Sequence, residues 1–151
     1  MTKWFDTNYH YLVPEFLPGQ RFKLCGSKLF DEVEEATALG YKVKAVIPGP
    51  LTFLWLGKTK GKEFNKLSLL DGLLPIYNQI LTRLKAQGVE WVQLDEPILA
   101  LDLPTEWSNA FESFYSRLRV GGIKKMLAVY FGSLQDNLSL ACNLPIDGLH
   151  V

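Results

Sequence analysis

The chain has 151 residues, 48% of them hydrophobic, 21% charged and 13% aromatic, which suffices for a buried core and excludes disorder over most of its length. Sixteen basic and sixteen acidic side chains cancel, so no long-range field gathers phosphate backbones, and nucleic acid is not an expected partner. No apolar run reaches membrane-spanning length and Met1 to Asp6 lack the features of a secretory signal, so a cytoplasmic location without a membrane partner is expected.

Lys3 to Val13 predicts a strand, and Pro14, Pro18 and Gly19 punctuate the irregular loop after it. Arg21 to Leu24 reads as a short extended piece, and Ser27 as the N-cap of a helix from Lys28 to Leu39 that Gly40 ends. Tyr41 to Ile47 alternates as a strand entering Pro48-Gly49-Pro50, and Leu51 to Lys62 is expected to continue as a loop. Leu67 to Gln87 carries Leu69, Leu73, Tyr77, Ile80 and Leu84 at helical spacing, with Pro75 inside it either starting a second piece or kinking the first.

Val89 to Leu94 is a near-continuous apolar run, expected to be a strand covered on both faces, and it delivers Asp95-Glu96-Pro97 at its end. Thr105 caps a helix from Glu106 to Arg119 with Trp107, Ala110, Phe111, Phe114 and Tyr115 on its buried side, and Gly121-Gly122 breaks it. Lys125 to Phe131 predicts a further strand, Leu134 to Cys142 a short helix, and Gly148 to Val151 a strand at its beginning.

Strand and helix alternate as in a parallel sheet with helices outside, and no internal repeat, linker or domain boundary interrupts them. A doubly wound sheet and a (β/α)8 barrel both fit. No GxGxxG follows the first strand, whereas Pro48-Gly49-Pro50 and Asp95-Glu96-Pro97 lie at strand C-termini, where barrels carry their sites. The expected fold is therefore α/β, a partial (β/α)8 barrel of about five parallel strands with outer helices, since a full barrel takes about 250 residues. Cys25 and Cys142 are far apart without CxxC spacing and read as small buried or half-buried hydrophobes rather than a disulfide or zinc site.

Met1-Thr2-Lys3-Trp4-Phe5-Asp6-Thr7-Asn8-Tyr9-His10-Tyr11, followed by Val13-Pro14-Glu15-Phe16, resembles the signature segment of the N-terminal half of the cobalamin-independent methionine synthase family. Gly49 to Lys58, Glu90 to Pro97 and Gly148 to Val151 are similar to that family in order and spacing, so the resemblance spans essentially the whole chain. It implies part of a methyltransferase that moves a methyl group from a 5-methyltetrahydrofolate polyglutamate to homocysteine, making methionine. It also implies two similar barrels, with residues 1–151 forming part of the N-terminal one. Zinc is implied only in the C-terminal barrel, where it would hold the homocysteine sulfur as a thiolate. His10, Cys25, Cys142 and His150 show no ligand spacing, so this chain alone is expected to bind no zinc and to transfer no methyl group.

The resemblance carries one residue over: Lys3 matches a lysine that contacts the folate substrate, where an ammonium pairs with a tail carboxylate as a mobile point charge. Asp95 and Glu96 match a segment that touches homocysteine in the other barrel. Here a retained structural duplicate is preferred, with substrate contact as the second reading. Asp6, Asn8, Tyr9 and His10 form a candidate polar cluster in which His10 reads as a hydrogen-bonded structural group before a proton carrier. Lys58, Lys60 and Lys62 read as a solvated loop face before an aid to the anionic tail. The competing class is a stand-alone, non-catalytic module that binds a folate or a protein. Unpaired edge strands of an incomplete barrel further predict self-association of the chain.

Overall fold

The computed structural model describes residues 2–5 and 7–151. The first segment is a hairpin rather than one strand: β1 (Thr2–Lys3) pairs antiparallel with β2 (His10–Tyr11), with Lys3 opposite His10. The reversal comes from Phe5, whose φ of 50° lies in the left-handed region, and from the Thr7 hydroxyl, which donates to the Trp4 carbonyl at 2.6 Å. β3 (Glu15–Phe16) follows, and 21–27 form no regular element.

Helix α1 (Lys28–Ala38) starts after Ser27, whose hydroxyl donates to Asp31, and ends before Gly40 at φ 86°. β4 (Lys44–Pro48) leads directly into α2 (Pro50–Leu56), a helix where a loop was expected. Its basis is local as well as distant: Pro50 has the φ that a first helical turn needs, and Leu51 and Leu54 are buried at three-residue spacing. β5 (Lys58–Thr59) then pairs parallel with β3.

A 3-10 turn (Lys66–Leu69) enters α3 (Leu70–Ala86), which buries Leu70, Leu73, Tyr77, Leu81 and Leu84. The helix runs through Pro75 without a break, with Pro75 on its exposed side. β6 (Trp91–Asp95) is followed by a 3-10 turn (Pro97–Ala100) and by α4 (Thr105–Arg117), which buries the expected Trp107, Ala110, Phe111, Phe114 and Tyr115. β7 (Lys124–Ala128) is shorter than expected. A 3-10 turn (Gln135–Asn137), α5 (Leu138–Asn143) and β8 (Gly148–His150) complete the described chain.

β4, β6, β7 and β8 form one parallel sheet in that order, and the hairpin stays outside it. The fold is α/β, a partial (β/α)8-type barrel in which four of the strands make the wall. Ala45, Ile47, Val92, Leu94 and Leu127 point to the helices and form the core with α2, α3 and α4. β6 alternates between buried and half-buried positions instead of being covered on both faces, because helices lie on one side only and the other side is the barrel's inner face. None of the described helices is long and apolar enough to cross a membrane.

Candidate functional site

The C-terminal ends of the four strands meet in one register row, Pro48, Asp95, Ala128 and His150, all directed to the inner face. Glu96, one residue further, turns to the helix side and is fully buried. Its carboxylate accepts from the Leu51 N–H at 3.1 Å, the Thr52 N–H at 2.7 Å and the Tyr115 hydroxyl at 3.0 Å. It thus caps α2 from another part of the chain, taking up two of the donors that a helix start leaves unpaired. A Cβ on Gly49 would overlap the Glu96 carboxyl, so only glycine lets the two come together.

Burial pushes the Glu96 carboxyl up to about 7, against the pull of Thr52, Leu51 and Tyr115 in the opposite direction. The Thr52 hydroxyl, buried beside it, has no partner in hydrogen-bond geometry and acts on the carboxylate through proximity. Burial, then the Glu96 charge, raises the Tyr115 and Tyr77 hydroxyls well above the usual tyrosine value, and Tyr77 donates to the Pro48 carbonyl at 2.7 Å.

Asp95 is half-buried on the inner face. Gln93 Nε2 donates to its Oδ1 at 2.7 Å and the Tyr130 hydroxyl to its Oδ2 at 3.1 Å, so the carboxylate is oriented while part of it stays open. Burial and then Asp95 raise the Tyr130 hydroxyl above its usual value, and the nearby Trp4 indole partly offsets this. The N-terminal hairpin reaches the mouth of the sheet through Phe5. Phe5 packs on Phe131 at 5.9 Å between ring centroids, and both residues have left-handed φ. Tyr11 donates to the Leu56 carbonyl at 2.9 Å, tying the hairpin to the end of α2 as well.

The structure therefore brings Lys3, His10 and Asp95 to one end of the sheet, with Lys3 and His10 exposed side by side on the hairpin. Asn8 and Tyr9 are exposed there too, while the expected contribution of Asp6 lies outside the described residues. Lys58, Lys60 and Lys62 are exposed, and Lys60 pairs with Glu15 at 3.0 Å. Lys66, which the sequence did not single out, donates to the Trp55 and Gly57 carbonyls at 2.7 and 2.9 Å and closes the C-terminal end of α2. Its ammonium is pulled below the ordinary lysine value by burial.

Cys25 and Cys142 are both exposed, contrary to expectation: Cys25 lies in an irregular segment, and α5 turns Ala141 rather than Cys142 inward. Among the described residues no three His, Cys, Asp or Glu side chains converge as a metal site requires. Tyr115 and Tyr130 also escaped the sequence as site residues. Tyr115 was visible only as part of an apolar helix face, and Tyr130 only as part of a strand.

Comparison with known proteins agrees with this architecture. The family described as "Cobalamin-independent synthase, N-terminal domain" matches residues 1–151. A solved B12-independent methionine synthase from Shewanella sp. W3-18-1, in complex with selenomethionine, is 18% identical with a TM-score of 0.57, over 76% of this chain and 34% of its own. A putative vitamin-B12 independent methionine synthase from Listeria monocytogenes is 17% identical with a TM-score of 0.61, over 85% of this chain and 45% of its own. The chain thus spans less than half the length of either structure, and at these identities the likeness speaks for the fold.

Proposed function

We propose a function from one premise: the chain belongs to the cobalamin-independent synthase family, as its N-terminal domain. In this proposal it is part of a cytoplasmic methyltransferase that moves a methyl group from a 5-methyltetrahydrofolate polyglutamate to homocysteine. Its own share is scaffold and contacts to the folate tail. The observation that supports this is the exposed Lys3 on a hairpin that Phe5 fastens to Phe131, beyond the end of β7, and Tyr11 to the end of α2. An ammonium in that position can pair with a tail carboxylate while staying hydrated. Asp95 and His10, at the same end, are secondary candidates for substrate contact, and Glu96 acts behind them by holding α2.

Zinc supplies the thiolate form of homocysteine in this chemistry, and the proposal assigns it to the C-terminal barrel as the chain's functional partner. The described residues do not fit a zinc ion, so no step is assigned to one here. The edges of β4 and β8 lack a partner strand among the described residues, which favours self-association of the isolated chain.

Titration of 5-methyltetrahydrofolate triglutamate against the wild type and Lys3→Ala tests the tail contact. A several-fold loss of affinity is expected, about the worth of one exposed ion pair. Equal affinity would remove Lys3 from the site. Homocysteine turnover or stoichiometric zinc in this chain alone would overturn the division of labour.

A further inference from the structure

Three consecutive carbonyls at the C-terminal end of α2 accept from side chains that lie elsewhere in the chain. Lys66 Nζ donates to Trp55 at 2.7 Å and to Gly57 at 2.9 Å, and the Tyr11 hydroxyl donates to Leu56, between them, at 2.9 Å. A helix end leaves its last carbonyls without an intrahelical donor, and here one ammonium and one phenol supply what is missing. With Glu96 on the Leu51 and Thr52 N–H groups at the other end, α2 is held at both ends by side chains from outside it.

Tyr11 is also the residue on which the segment around Lys3 rests. It stands opposite Thr2 in the hairpin register, and its ring meets the Trp4 indole edge to face at 5.5 Å between centroids. Lys3 thus lies between two residues that Tyr11 holds. The chain beyond Tyr11 is fastened to the same end of α2: a Cβ on Gly57 would overlap the buried Phe16 ring, and the Lys58 N–H donates to the Pro14 carbonyl at 2.9 Å. The exposed Lys3 side chain takes its direction from the backbone that carries it, and a backbone already fixed loses less entropy when the ammonium pairs.

We propose that Tyr11 and Lys66 are positioning residues for the folate-tail contact: Lys66 fixes the end of α2, Tyr11 seats the hairpin on it, and the strand so held presents Lys3. This role rests on the tail reading of Lys3, and neither residue touches the substrate.

A double-mutant cycle on the full chain, titrated with 5-methyltetrahydrofolate triglutamate, tests it. Tyr11→Phe, which keeps the ring and removes only the donor, should weaken binding by about threefold, and Lys66→Met by at least as much. In a Lys3→Ala background both should change affinity by less than about 1.5-fold, because there is no ammonium left to position. Hydrogen exchange of the Trp4 amide, which donates to the Tyr9 carbonyl at 2.7 Å, reads the hairpin without ligand and should speed up in both variants. Circular dichroism checks that each variant folds. Unchanged Trp4 exchange in folded Tyr11→Phe, or equal weakening in both backgrounds, would overturn the positioning role alone. An inert Lys3→Ala would instead remove the tail contact, and this use of the hairpin with it.

Discussion

Asp95 and Glu96 are neighbours in the chain and end on opposite sides of the same sheet. Glu96 lies among helices, without solvent, with two backbone N–H groups and a tyrosine hydroxyl aimed at it. Asp95 lies on the open inner face, oriented by Gln93 and Tyr130 and still half-accessible. Two like carboxylates thus receive different tasks from strand alternation: one joins β6 to α2 and α4, and the other addresses whatever enters the mouth.

The largest way to break this contrast is Glu96→Ala, which strips the Leu51 and Thr52 N–H groups and the Tyr115 hydroxyl of their acceptor. A loss of about 3 kcal/mol or more in urea unfolding is expected, against about 1 kcal/mol for Asp95→Ala. Equal losses would mean that the two sides of the sheet do not differ as described.

The second effect is on pH dependence. The Glu96 carboxyl is raised from its ordinary 4.5 to about 7 in the folded protein, mainly by burial. Between those values the folded state keeps a proton that the unfolded state has released, so stability falls as pH rises. Its contribution is complete below the unfolded value and is lost by the folded one, roughly 3 kcal/mol across the window. Glu96→Gln should remove that slope, seen as equal denaturation midpoints at about pH 5 and about pH 8. A slope that persists would place its origin elsewhere.

Gly49→Ala comes next, because the added methyl meets the Glu96 carboxyl. A cost of about 1–3 kcal/mol is expected by thermal unfolding, and combination with Glu96→Ala should be less than additive. The smallest effect belongs to Tyr130→Phe, which takes one donor from a half-open Asp95. Less than about 1 kcal/mol should be lost, with the pH slope of stability unchanged.

Much of this was legible in the residues themselves. The order of strands and helices, the stop at Gly40, the buried stripe of α4 and the arrival of Asp95-Glu96 at a strand end all follow from local periodicity and from Gly and Pro placement. The string from Met1 to Tyr11 also carried the family. What periodicity could not supply was any feature whose partners lie far along the chain. Helix α2 read as loop because Glu96, 45 residues from Leu51, is part of what holds it. The hairpin read as one strand because a left-handed Phe5 is not visible in side-chain pattern.

By itself the sequence determined most of the longer elements, the α/β class and the family, since each rests on short-range spacing or on an uninterrupted string. Only the tertiary structure decided which carboxylate is desolvated and where Lys66 donates. Burial and hydrogen bonding depend on what packs against a side chain, and those neighbours come from distant segments that the fold alone brings together.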